Sequence, residues 1–149
     1  PCRCTEAEIE RHRRRLSGPL LDRIDLLVGV QRPAPDELAG GPLTTSPATR
    51  ERVVEARARQ AHRLSGTAAT CNGDTDPATL RSTSGLSATA GEALLDAYRA
   101  GHLSARGHHR ALRVARTVAD LHGADGIERA HVLETLSLRQ HGPAEALAA

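Results

Sequence analysis

Apolar residues recur mostly at helical spacing along this chain and divide it into a short leading part and a longer helical part. Thr5-Glu6-Ala7-Glu8 is a capping box, with Thr5 as N-cap and Glu8 at the third helical position. It predicts a first helix to about Leu16, pinned by Ile9 and Leu16. Ser17-Gly18-Pro19 starts a second short helix, because Ser caps well and Pro suits the first turn. Leu20, Leu21 and Ile24 are its apolar anchors, and Asp22, Arg23 and Asp25 are left on a charged corner. Leu26-Leu27-Val28-Gly29-Val30 is short and apolar, is closed by Arg32-Pro33, and predicts a buried strand. Prolines and glycines then break regular structure across residues 32–45, which read as a linker.

The second part is mainly helical. Ser46-Pro47 opens a helix to about Leu64, with Val54, Ala58, Ala61 and Leu64 as its expected buried stripe. Residues 65–86 read as a polar loop with one helical turn near Pro77–Arg81. Ser87 caps a helix over about 88–100, with Leu94, Leu95 and Tyr98 inward and Gly101 ending it. Ser104 caps the next, which ends near Gly123. Ala111, Val114, Ala115, Val118, Ala119 and Leu121 share one face of it, and Arg106, Arg110, Arg113 and Asp120 the other. A last helix runs from about Glu128 to His141, with Val132, Leu133 and Leu136 inward, and the tail beyond Gly142-Pro143 should fray. The chain is therefore mainly α: a helical bundle preceded by a short helix-plus-strand segment.

Composition narrows the chemistry. The chain has 149 residues, enough for one domain or one small domain plus a fragment of another, and its abrupt Pro1-Cys2-Arg3-Cys4 start suggests a piece of a longer protein. Tyr98 is its one aromatic residue, so the core is built from Leu, Val, Ile and Ala and is thin. All 20 basic residues are Arg. Without a Lys there is no Walker A loop here, since that loop needs Lys to reach the β- and γ-phosphates. The net charge of +2 gives no global basic field for nucleic acid. No apolar run is long enough to span a bilayer, and three cysteines do not make a secreted disulfide framework. A cytoplasmic location without membrane contact is the expectation.

Three features carry candidate chemistry. Arg23 on its corner can pair with Asp22 or Asp25, which elementary electrostatics favours. It can also reach into a neighbour's nucleotide site as an arginine finger. Arg106 lies in the first turn of its helix, where a cation opposes the helix dipole; such a residue is either solvated or kept for a nearby anion. Arg113, one heptad on, points the same way, Arg110 is a weaker candidate, and Arg116, at the edge of the polar face, suits a structural salt bridge. Cys2 and Cys4 can form half of a tetrahedral zinc site, but the chain supplies no second pair. Cys71 has no cysteine partner in sequence, and the histidines, including His108-His109, share no ligand geometry.

The block Ser17-Gly18-Pro19-Leu20-Leu21-Asp22-Arg23-Ile24-Asp25-Leu26 resembles the end of the ATPase core in the magnesium-chelatase-like AAA+ family, the YifB/ComM proteins. Arg11-His12-Arg13-Arg14-Arg15-Leu16 before it and Arg52-Val53-Val54-Glu55-Ala56-Arg57 after it continue the likeness. Ser104-Ala105-Arg106-Gly107, followed by Arg113-Val114-Ala115-Arg116-Thr117-Val118-Ala119-Asp120-Leu121, is similar to the family's sensor-2 helix. His131-Val132-Leu133-Glu134 and Leu138-Arg139 resemble its closing pattern. Ile24 stands where Phe is often found, and Leu138 where Tyr is common.

The resemblance implies that residues 1–31 are the last helix and strand of an α/β AAA+ core, residues 32–45 a linker, residues 46–141 a helical lid and residues 142–149 a tail. It implies ATP and Mg2+ as cofactors of the full-length protein, held mostly upstream, and a ring of identical subunits, a hexamer. Arg23 would be the finger in trans and Arg106 the sensor in cis, with Arg113 beside it for cofactor binding. Zn2+ would join Cys2 and Cys4 to an upstream cysteine cluster. DNA, through branch migration in natural transformation, is the implied substrate. The fragment alone should be inactive. The alternative reading is a stand-alone helical module for nucleic-acid binding or oligomerisation.

Overall fold

A computed structural model describes residues 3–13, 15, 23–30, 32–36 and 46–140. Among the described residues six helices are complete: α1 (Glu6–Arg13), α2 (Ser46–Arg63), α3 (Pro77–Thr83), α4 (Ala88–Arg99), α5 (Ala105–Leu121) and α6 (Arg129–Gln140), with one 3₁₀ turn at Asn72–Asp74. The mainly helical expectation holds. Cys2, the first helix's end at Leu16, the Ser17-to-Asp22 helix, residues 37–45 of the linker and the tail from 141 lie outside the described residues.

Local chemistry sets the helix ends. At α1 the Thr5 amide donates to Glu8 Oε2 at 2.7 Å and the Glu8 amide to Thr5 Oγ1 at 3.4 Å, so the capping box forms. Its backbone bond from Thr5, then its hydroxyl bond, hold the Glu8 carboxyl below the usual range. Ser87 and Ser104 accept from the amides of Ala90 and Gly107 at 3.3 and 2.9 Å. Helices α4 and α5 end in Schellman turns. Gly101 (φ 77°) and Gly123 (φ 71°) take the left-handed position, while His102 and Ala124 donate back to Ala97 and Ala119. The single helical turn expected near Pro77–Arg81 is a helix of 7 residues, α3. Asp76 caps it from outside and Pro77 occupies its first position.

Helix α5 is central and packs against α2, α3, α4 and α6. Its Ala111, Ala115 and Ala119 are fully buried, because small side chains let neighbouring helices approach closely. Around them sit Leu80, Leu94, Leu103, Leu112, Ile127, Val132 and Leu136. A parallel bridge joins Leu86 to Ile127. Beside it Gly85 has φ 60°, and a Cβ on Gly126 would stand 2.7 Å from the Gly85 carbonyl oxygen. Only glycine permits that approach.

Four expectations are corrected. Residues 26–30 are extended but form no strand, and Leu26, Val28 and Val30 are 46%, 64% and 82% exposed. A strand requires a neighbouring strand to pair with, and the described residues supply none. On α2 the buried residues are Ala56 and Gln60, and Leu64 just past its end is buried as expected, while Val54 is exposed, as are Ala58 and Ala61. The face turned inward meets a polar cluster, so a glutamine displaces valine there. Leu95, Tyr98 and Leu133 are exposed, since Ala93, Ala97 and Val132 take the inward positions beside them. Asp120, expected on the polar face of α5, is buried between two arginines. Among the described residues no helix is long and apolar enough to cross a membrane.

Candidate functional site

Two arginine clusters occupy opposite parts of α5. The first is structural. Asp120 accepts from Arg63 Nη1 and Nη2 at 2.6 and 2.8 Å, from Asn72 Nδ2 at 2.9 Å, and pairs with Arg116 Nη2 at 3.0 Å. Arg116 also donates to the carbonyls of Ser84, Ala124 and Asp125 at 2.9, 2.7 and 2.9 Å. Burial draws the pKa of this guanidinium down, and the Asp120 charge opposes that shift. These bonds fasten the 65–86 segment and the α5–α6 loop to the bundle. The structural salt bridge expected of Arg116 is therefore present.

The second cluster lies at the start of α5, where the leading segment meets the bundle. Arg110 donates through Nη1 to the Arg23 carbonyl, and pairs with Asp25 Oδ1 at 2.9 Å. Arg139, on α6, donates to the carbonyls of Ile24 and Asp25 at 3.4 and 3.0 Å. The Leu27 amide donates to the Leu138 carbonyl at 2.8 Å. Thus the corner 23–27 is held by backbone and side-chain bonds against α5 and α6. Asp25 pairs with Arg110 and not with Arg23. The Arg23 side chain is exposed and makes no hydrogen bond or ion pair among the described residues.

Arg106 lies one turn before Arg110 and is likewise exposed, with no such partner among the described residues. Arg113 donates to the Thr75 carbonyl at 2.7 Å and is half-buried. So the sequence candidates separate: Arg23 and Arg106 present unengaged guanidinium groups, whereas Arg110 and Arg113 hold backbone. At the start of α5, Arg110 meets the Asp25 carboxylate and Arg139 the Asp25 carbonyl, with Arg106 one turn earlier on the helix. His108 and His109 stand edge to face at 5.7 Å; burial, then the His109 charge, lowers the His108 pKa. The roles of Arg110, Arg139 and Asp25 are not visible in helical periodicity. Leu138-Arg139 does belong to the motif that resembles the family's closing pattern.

Cys4 is exposed, and Cys2 lies outside the described residues. Among the described residues no group of three or more His, Cys, Asp or Glu side chains is placed to hold a metal. Cys71 Sγ and the Thr70 hydroxyl both bond the Asp74 carboxylate, at 3.4 and 2.6 Å.

Comparison with known proteins decides the lineage. Residues 44–139 match the family model described as magnesium chelatase, subunit ChlI C-terminal, and residues 1–38 match magnesium chelatase, subunit ChlI. The chain belongs to the magnesium chelatase ChlI family. Within it, the chain is similar to the protein YifB of Escherichia coli (strain K12), 35% identical over 92% of this chain and 27% of that protein. It is 36% identical to Rv2897c of Mycobacterium tuberculosis over 95% of this chain and 28% of that protein. It is 34% identical to the competence protein ComM of Haemophilus influenzae over 92% of this chain and 26% of that one. The chain spans about a quarter of the length of these ChlI-family relatives. The two matched stretches are separated by residues 39–43.

Proposed function

We propose that this chain is the C-terminal part of a AAA+ ATPase that works as a ring of identical subunits, a hexamer. Residues 1–31 close the ATPase core, residues 46–141 form its lid, and ATP with Mg2+ is held mainly by the upstream part. Arg106 faces the γ-phosphate of its own subunit's ATP as sensor 2, and Arg23 faces the ATP of the adjacent subunit as an arginine finger. Mg2+, held by the upstream part, would supply charge neutralisation at the triphosphate, and the guanidinium groups of Arg23 and Arg106 would add stabilisation where charge builds during phosphoryl transfer.

One observation carries this reading. Of the four arginines of α5, three hold backbone or carboxylate groups, and Arg106 alone is unengaged among the described residues. Arg23 is unengaged in the same sense, although Asp25 is two residues away. A guanidinium on an anchored backbone, with its local acid already taken, is free to meet an anion from outside. Arg113, tied to Thr75, would support the binding surface from behind.

The test uses the full-length protein. Arg23→Ala is expected to lower the ATPase kcat by about 10³-fold, the low end of the range for arginine fingers. Arg106→Ala should lower kcat and also weaken ATP binding. Unchanged turnover in both variants would refute the assignment and favour a scaffold.

The ring's work is proposed to be DNA remodelling of the branch-migration kind, an inference that leans on the competence protein among the relatives. Cys2 and Cys4 are proposed as half of a zinc site completed upstream. A stand-alone nucleic-acid module is the second reading, and the exposed Arg50, Arg52, Arg57 and Arg59 on α2 favour it. Against it, Arg59 pairs with Asp125 at 3.2 Å, and Glu51 and Glu55 lie on the same helix. Salt-sensitive DNA binding by this chain alone would distinguish it.

A further inference from the structure

We infer that Arg110, Asp25 and Arg139 form a coupling clamp that positions the Arg23 corner from the helix carrying Arg106, so that the lid of one subunit sets the reach of its finger toward the next. The inference rests on the proposed roles of Arg23 and Arg106.

The clamp is built from both sides of the corner. Arg110 Nη1 spans the Arg23 carbonyl and the Asp25 carboxylate, and Arg139 takes the two carbonyls that follow, at Ile24 and Asp25. The Leu27 amide bond to Leu138 closes the far end. Successive peptide groups of the corner are thereby referenced to two helices and cannot rotate independently of them. Arg110 and Arg106 lie one turn apart on the same helix, so a displacement of that helix as Arg106 meets an anion carries Arg110 with it. Through the Arg23 carbonyl that displacement reaches the backbone from which the Arg23 side chain projects. Two phosphate-facing groups serving different subunits would then share one mechanical body.

A merely structural purpose suits these bonds poorly. The Asp25 side chain is 56% exposed and Arg110 is 23% exposed. Exposed ion pairs contribute little to stability, unlike the buried Arg63–Asp120–Arg116 cluster. The cost of losing them falls on position, and a misplacement of about 1 Å near the reacting groups can cost about 10²-fold in rate. Arg110, Asp25 and Arg139 are positioning residues: the bonds of the two arginines go to the corner at residues 23–25.

A double-mutant cycle in the full-length protein tests this. Arg110→Ala is expected to lower kcat by about 10- to 100-fold, with KM for ATP and the unfolding midpoint little changed. Placed on an Arg23→Ala background, the same substitution should cause no further loss, because the residue it positions is gone. Arg110→Lys, which restores a donor, should recover part of the rate. An equal loss from Arg110→Ala on both backgrounds overturns the clamp, as does a raised KM with kcat intact. If Arg23→Ala by itself leaves turnover unchanged, the finger assignment fails first, and the cycle reports that failure separately.

Discussion

Arg116 and Arg106 stand on the same helix and end in the same chemical group, yet the protein treats them in opposite ways. Arg116 is 1% exposed and is held by three carbonyls and the Asp120 carboxylate. Arg106 is exposed, lies in the first turn, and has no partner among the described residues. Burying a guanidinium is costly unless acceptors take up its donors, and both Nη groups of Arg116 find acceptors while its Nε finds none among the described residues, so the first arginine fixes the fold. The second contributes nothing visible to it. The same contrast divides Arg110 and Arg139, which hold a corner, from Arg23, which projects from it. An arginine's role is therefore read from what its neighbours have already claimed.

The sharpest way to break the comparison is Asp120→Ala. It leaves Arg63 and Arg116 without their shared carboxylate, Arg116 fully buried. Losing one partner of a buried pair costs about 3–5 kcal/mol, so denaturant unfolding should show a loss of that size. A loss below about 1 kcal/mol would show that water or other groups replace the carboxylate easily. Gly126→Ala comes next. The added methyl meets the Gly85 carbonyl oxygen and displaces the loop that Arg116 grips, at an expected cost of about 1–3 kcal/mol.

Smaller effects sharpen the other side. Ser104→Ala removes the cap that starts α5 and should cost about 1 kcal/mol. Arg106→Ala should move the unfolding free energy by no more than about 0.5 kcal/mol, as for a surface residue outside any network. A larger change would mean that Arg106 has a structural task. The smallest effect is a pH dependence. The His108 pKa is lowered in the folded state, chiefly by burial, so the unfolded chain takes up that proton more readily. Stability from this group is present above its unfolded pKa, about 6.5, and is lost as pH falls through that value toward the folded pKa. Unfolding midpoints should therefore decline from pH 7.5 to 5.5, and His108→Gln should flatten the slope.

These contrasts also show what a sequence conveys. Caps were legible at Thr5, Ser87 and Ser104, because capping uses atoms only a few residues apart. The glycine ends at Gly101 and Gly123 were legible for the same reason. The inward face of α2 was not. Periodicity puts Val54 in the core stripe and leaves Gln60 out of it, while the partner of that face is the Asn72–Asp120 cluster, assembled from distant segments. Asp120 was misplaced because an acid reads as solvent-facing until its two arginines are known. Residues 26–30 have a strand's composition, but pairing is a property of a neighbour. Arg23 and Arg106 were legible as candidates through motif likeness, while the bonds that separate them from Arg110 and Arg113 required coordinates.

The central claim is that Arg23 acts on a neighbour's ATP and Arg106 on its own. Mixing full-length Arg23→Ala subunits with full-length Arg106→Ala subunits tests it most directly. Each preparation alone should be nearly inactive. In mixed head-to-tail rings, an interface that pairs an intact Arg106 with an intact Arg23 is whole, and random equal mixing should restore about a quarter of wild-type ATPase activity. Activity that stays at the average of the two inactive preparations would contradict the division of labour between the two arginines.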